Sequence, residues 1–159
     1  MQVRMQISGL MVDPVTNMPI VILKDDSGEH VLPIWVGVYE ANAIALKLED
    51  IAPPRPMTHD LLHDVVGQLG AEIRRILISD LRDNTYYARV DLERKGEQLS
   101  IDARPSDALA LALRADAPVF VETSVLELAE NGTDSSSEAE RLKRWFENLD
   151  PEDFSKYEM

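Results

Sequence analysis

Two short segments of this 159-residue chain share one plan, and between them they fix two helix starts. They are Arg55-Pro56-Met57-Thr58-His59-Asp60-Leu61-Leu62 and Asp102-Ala103-Arg104-Pro105-Ser106-Asp107-Ala108-Leu109-Ala110-Leu111. In each, an arginine precedes a proline, then come a Thr or Ser, an aspartate and an apolar helical run. Proline disfavours helical geometry for the residue before it, so each arginine is left on an irregular stretch beside a helix start. Thr58 and Ser106 have side chains suited to N-capping. The N–H groups of a helix start favour an anion, and a guanidinium beside them suits a phosphate or a metal-phosphate. The alternative is two ordinary capped helices with structural arginines.

The rest of the pattern is strands grouped with helices rather than strictly alternating with them. Residues 1–13 alternate apolar and polar, with Val3, Met5 and Ile7 on one face. Met18–Lys24 and His30–Val36 flank Asp25-Asp26-Ser27-Gly28, a hairpin signal. Gly37 opens a helix whose Val38, Ala41, Ile44, Ala45, Leu48 and Ile51 follow helical spacing until Pro53-Pro54. A second helix spans Thr58–Leu69, with Leu61, Leu62, Val65, Val66 and Leu69 as its expected buried stripe. Glu72–Asp80, Thr85–Glu93 and Gln98–Ala103 read as three strands, with turns at Asp83-Asn84 and Lys95-Gly96. Ser106–Arg114 reads as a helix, Pro118–Glu122 as a strand and Val125–Glu130 as a further helical turn or two.

This grouping predicts an α+β fold with a mixed or antiparallel sheet, one compact domain over residues 1–130. Residues 131–137 read as a linker, and 138–159 as an acidic C-terminal helix and tail carrying Leu142, Trp145, Phe146 and Leu149. Those four residues are expected either to pack on the main domain or to dock a partner protein.

No segment approaches the roughly 20 apolar residues of a membrane span, and Met1–Gln6 has no apolar signal core. The chain has no cysteine, which removes disulfides, thiolate catalysis and cysteine-ligated zinc; a cytoplasmic location is the expectation. A net charge of −13 opposes long-range attraction to nucleic acid. Residues 1–130 hold 21 acids and 12 bases, so the excess is not confined to the tail. A divalent cation bridging carboxylates and phosphate remains compatible with that charge.

The order Leu32-Pro33-Ile34-Trp35-Val36-Gly37, Glu40-Ala41, Ala43-Ile44, Pro54-Arg55-Pro56 and Thr58-His59-Asp60-Leu61-Leu62 resembles the bifunctional nuclease domain family. Asp80-Leu81, Thr85-Tyr86-Tyr87-Ala88 and Ile101-Asp102-Ala103-Arg104-Pro105-Ser106-Asp107-Ala108 extend the resemblance, as do Ala110–Arg114 and Ala117–Val121. Roughly residues 1–130 are covered, in order. The resemblance implies a compact α+β domain, homo-oligomers, and nuclease activity on both DNA and RNA.

Without a thiol or a serine triad, phosphodiester cleavage requires metal-activated water or histidine acid/base chemistry. Asp60, Asp102 and Asp107 are the expected ligands of Mg²⁺ or Mn²⁺, with Asp80 and Glu40 as further carboxylates. Imidazole titrates near neutrality, which makes His59 the proton-transfer residue, with Asp102 and Asp107 beside it as catalytic carboxylates. His63 is expected to face solvent, and His30 has no visible partner. Arg55 and Arg104 are expected to clamp a phosphate; their alternative partners are Glu40, Glu49, Asp60 and Asp107. Trp35, Tyr86 and Tyr87 are more consistent with core or interface than with base stacking, and the two tyrosines face opposite ways.

Ala108–Leu113 is apolar all round, which predicts cover on several sides and, in a small domain, a second subunit supplying part of it. The competing functional reading is a non-catalytic oligomeric scaffold that binds an anionic small ligand or a protein partner, supported by the acidic surface and the lack of a basic stripe.

Overall fold

In a computed structural model the chain is described over residues 1–131. The expected C-terminal helix, with Leu142, Trp145, Phe146 and Leu149, and all but the first residue of the expected linker lie outside the described residues. Seven strands and four helices follow in the order β1 (Gln2–Val12), β2 (Pro19–Asp25), β3 (Val31–Trp35), α1 (Val38–Leu48), α2 (Thr58–Gln68), β4 (Ala71–Arg82), β5 (Thr85–Arg94), β6 (Glu97–Ala103), α3 (Pro105–Ala115), β7 (Val119–Glu122) and α4 (Thr123–Asn131). The architecture is α+β, with one open mixed sheet ordered β3-β2-β1-β7-β4-β5-β6.

Two antiparallel meanders make up the sheet, and β7 joins them. It runs antiparallel to β1, with Val3 opposite Val121, and parallel to β4, with Leu77 opposite Phe120. The tight turns follow from local chemistry. Asp83 and Asn84 both have positive φ (50° and 60°), as do Lys95 and Gly96 (50° and 78°). Two consecutive positive φ values match the right-handed twist of a two-residue hairpin. These turns set the register that places Ala88 opposite Ile78 and Ala103.

The helices cover one face of the sheet. Ile76, Ile78, Val90 and Val121 from the strands meet Ala41, Ile44, Leu109, Val125 and Leu126 from the helices in one core. A smaller cluster of Met11, Ile20 and Ile22 lies apart from it. Helix α3 is the centre of the core: Ala108 through Ala112 are buried, and it packs on α1, α2, β4 and β5. Its all-round apolar character is therefore satisfied within the chain, not by a second subunit. Deleting a fully buried leucine such as Leu109 would cost about 2–5 kcal/mol.

Helix α2 departs from expectation. None of its residues is buried, and Leu61, Leu62 and Val65 are 58%, 43% and 44% exposed. Only Val66 of the expected stripe packs partly against the core, and His63 is half-buried rather than solvent-facing. The apolar periodicity was correctly helical, but it does not state which neighbour, if any, covers the face. No helix among the described residues is long and apolar enough to cross a membrane.

Candidate functional site

The helix starts differ from the capped geometry expected of them. Met57 and Arg104 occupy the N-cap positions in extended conformations, and neither helix has a side-chain cap from Thr58 or Ser106. Proline explains the shift at α3. Pro105 takes the first helical position, where its missing N–H costs nothing, and it holds Arg104 extended at φ −71°, ψ 144°. At α2 the Asp60 carboxylate reaches back to the Met57 N–H at 3.0 Å, the reciprocal half of a capping box.

Around the α3 start, four side chains from three helices and a strand–helix junction form a continuous chain. His59 Nε2 lies 2.9 Å from Asp107 Oδ1. Arg104 Nε donates to Asp107 Oδ2 at 2.9 Å, and Arg104 Nη2 donates to Glu40 Oε1 at 2.6 Å. Burial would push the Asp107 carboxyl up. The hydrogen bonds from His59 and Arg104 outweigh burial and hold it below the usual carboxylate range. Asp107 is thus an ionised acceptor, so His59 donates from Nε2, and in the neutral ring the lone pair sits on Nδ1. The bonds to Asp107 and Glu40 raise the pKa of the Arg104 guanidinium, keeping it charged. Its Nη1 has no partner among the described residues, and the side chain is 65% exposed.

These groups line a cleft of about 620 Å³ between α2, the α3 start and the β5–β6 strands. Leu62, Val66, Ile73, Val90, Leu92 and Leu111 make its apolar walls, and Tyr39 and Thr58 stand at it. Glu40 carries more of the geometry than its sequence suggested. Its carboxylate folds back over Gly37, where a Cβ would lie 2.3 Å from Oε2. Gly37 therefore leaves room for the orientation that holds Arg104.

Of the other residues singled out from the sequence, Asp102 lines this same cleft, while Asp60, Arg55 and Asp80 fall elsewhere. Asp60 is tied to Arg114, whose Nε donates to Oδ1 at 2.6 Å while its other nitrogens reach the carbonyls of Ala110 (2.9 Å) and Ala43 (3.1 Å). The Met57 N–H, with Arg114 and despite burial, holds the Asp60 carboxyl below its ordinary value. The Arg114 side chain is 3% exposed, so this pair knits α1, α2 and α3 together. Sequence reasoning did not single out Arg114; a lone arginine near the end of an otherwise apolar helix was the available signal. Arg55 lines a different, smaller cleft with Asp60, so the two Arg-Pro corners do not share one opening. Asp102 pairs with Arg89 across β5–β6, while its neighbour Ala103 pairs with buried Ala88. Strand alternation puts Asp102 on the face of Arg89, and it lines the first cleft without hydrogen-bonding to His59, Asp107 or Arg104. Asp80 pairs with Arg82 on the β4–β5 hairpin.

This donor set does not fit a resident divalent cation. Glu40 and Asp107 are both engaged by Arg104 and Asp60 by Arg114, which leaves Asp102 as the one carboxylate of the first cleft without a basic partner among the described residues. No group of three or more His, Asp or Glu side chains converges to hold a metal among the described residues.

A sequence model described as "Bifunctional nuclease domain" matches residues 21–133. An uncharacterised protein of Mycobacterium tuberculosis (strain ATCC 25618 / H37Rv) is 36% identical over 160 residues, covering 94% of this chain and 96% of its own length. Bifunctional nuclease 1 of Oryza sativa subsp. japonica is 29% identical over 112 residues, 69% of this chain but 34% of the rice protein. Bifunctional nuclease 2 of Arabidopsis thaliana is 28% identical over 105 residues, 64% of this chain and 32% of its own length. The chain spans about a third of the length of these plant nucleases. With a match over residues 21–133 and near full-length similarity to the mycobacterial protein, the chain belongs to the bifunctional nuclease domain family.

Proposed function

We propose that the chain is a weak nuclease acting on the phosphodiester bonds of DNA and RNA, with the His59–Asp107–Arg104 cluster as its reactive centre. The observation that carries the reading is the 2.9 Å contact between His59 and Asp107 inside the 620 Å³ cleft. Asp107 fixes the ring so that Nδ1 accepts a proton from water as the oxygen attacks phosphorus. The P–O bond to the leaving nucleoside breaks, and the proton passes to the departing oxygen. Arg104 Nη1 is the donor left for a phosphate oxygen, and the apolar walls exclude competing water and accept a base face. General-base catalysis of this kind contributes about 10²–10⁴-fold, which suits a weak enzyme.

Mg²⁺ or Mn²⁺, in this reading, belongs to the substrate complex and not to a resident cage, and no step above depends on it. The test is hydrolysis of single-stranded DNA and RNA by the purified chain and by Arg104→Ala, with Mn²⁺ and with EDTA. Loss of cleavage in the variant supports the reading. Equal activity in both proteins marks a contaminating nuclease and overturns it.

We also propose that a second copy of the chain covers the outer stripe of α2, where Leu61, Val65 and Leu69 are exposed and do not line the cleft. Contiguous exposed apolar residues of this kind mark association surfaces. This face also supports the scaffold reading, in which the cleft holds an anion without cleaving it. The cysteine-free composition accords with a cytoplasmic location.

A further inference from the structure

The second cleft, of about 260 Å³, lies on the other side of the α2 start. Successive residues divide between the two openings: Met57, Thr58 and His59 line the first, while Pro56, Asp60 and Asp64 line the second. Two cations, Lys47 and Arg55, line the second cleft, and neither makes an ion pair or a side-chain hydrogen bond among the described residues. Most other arginines among the described residues are occupied: Arg74, Arg75, Arg82, Arg89, Arg104 and Arg114 all pair with carboxylates.

The backbone presenting Arg55 is unusually constrained. Pro53, Pro54 and Pro56 surround it, and each proline fixes its own φ and restricts the residue before it. Ordering such a segment on a ligand costs little conformational entropy. Within the cleft the Asp60 carboxylate is hydrogen-bonded by Arg114 and also feels the charge of Lys47, and Asp64 is the other carboxylate of the lining. The lining therefore carries three cations against two carboxylates, a net positive spot on a chain of charge −13.

We propose that Lys47 and Arg55 form a second anion subsite that takes another phosphate of the polynucleotide strand held at Arg104. The inference rests on the nuclease reading for the identity of the ligand. It assigns the α2 start as a ridge crossed by the strand, with one phosphate on each side. Substrates with a single phosphodiester would use the first cleft only.

The experiment measures binding of a single-stranded oligonucleotide to the full chain across a range of salt concentrations, by fluorescence anisotropy. The proteins are wild type, Lys47→Ala, Arg55→Ala, the double variant and Arg94→Ala, the last a cation outside both clefts. Turnover of the oligonucleotide and of bis(p-nitrophenyl) phosphate is read in parallel. Each lost phosphate contact on a single strand should lower the slope of log K against log salt by about 0.7. The double variant should lose slope and raise KM for the oligonucleotide alone, while Arg94→Ala should change neither. Asp64→Asn should tighten oligonucleotide binding. A double variant with wild-type slope and affinity overturns the subsite and leaves the nuclease reading standing. A reduced slope with no cleavage of either substrate by wild type keeps the subsite and overturns the nuclease reading. Absence of oligonucleotide binding by wild type even at low salt overturns both.

Discussion

Nε2 of His59 and Oδ1 of Asp107 meet at 2.9 Å although 48 residues separate them. The contact links the first turns of α2 and α3, and it joins the two Arg-Pro segments through the imidazole and the carboxylate that the sequence set beside one another. It is the His and the Asp that meet, not the two arginines. The expectation from this geometry is that His59→Gln lowers cleavage of single-stranded DNA by about 100-fold or more. Asp107→Asn, which no longer fixes the ring as an ionised acceptor, should fall comparably. Initial rates on homogeneous protein measure both, and a loss under twofold in either would remove the dyad from the reaction.

The crowding at Gly37 yields a separate expectation. A methyl group there would lie 2.3 Å from Glu40 Oε2, and the flexible Glu40 side chain would swing away and release Arg104. Gly37→Ala should leave the melting temperature nearly unchanged while cleavage falls several-fold. Glu40→Gln, which retains an oxygen able to accept from Arg104, should fall less than Glu40→Ala. A Gly37→Ala protein with full activity would show that Arg104 needs no tether.

Arg114 predicts stability, not chemistry. Its side chain is 3% exposed and donates to Asp60, Ala110 and Ala43. Arg114→Ala leaves the half-buried Asp60 carboxylate without its cation and removes the link between α1, α2 and α3, which should destabilise the domain by about 3 kcal/mol. For a chain of this size that corresponds to a drop of roughly 10 °C in Tm, readable by calorimetry. Arg114→Met, which fills the space without the donors, should recover only part of the loss.

Acid stability should follow Asp60 and Asp107. Both carboxyls titrate below their ordinary values in the folded chain. The unfolded chain therefore binds more protons in the acid range, and stability rises with pH there. Their contribution is complete above the unfolded carboxylate pKa of about 3.9 and is lost as pH falls through the lowered folded values. Urea midpoints measured from pH 6 down to pH 2 should fall less steeply in Asp60→Asn and in Asp107→Asn than in wild type. Parallel curves for all three proteins would contradict the assignment.

Association should depend on α2. Leu61 and Val65 are more than two-fifths exposed, so a charge at either position costs the monomer within about 0.5 kcal/mol. The Leu61→Asp, Val65→Asp double variant should run as a monomer in light-scattering chromatography, with wild type larger. Identical masses would place the contact elsewhere or remove it.

Much of this fold was legible because the local signals agreed with one another. Asp83-Asn84 and Lys95-Gly96 marked the two hairpin turns where they occur, and proline marked the α3 start within one residue. Tyr86 and Tyr87 face opposite ways as strand alternation requires: Tyr86 is largely buried, which pushes its hydroxyl up to about 12, while Tyr87 is 39% exposed. What was not legible depends on long-range register. Asp102 does line the Arg104 cleft, yet its register opposite Arg89 leaves it without a hydrogen bond to His59, Asp107 or Arg104. Asp60 looked free, yet an arginine 54 residues away claims it. The stripe of α2 had the period of a buried face, but burial depends on neighbours that periodicity does not name.

The bridging position of β7 has a consequence for biosynthesis. Among the described strands only β7 hydrogen-bonds to both meanders, so β1–β3 and β4–β6 can each form on the ribosome while remaining unjoined. Closure waits until Val119–Glu122 clears the exit tunnel, and a polypeptide interrupted before that point would leave the edges of β1 and β4 open to pairing with a stranger.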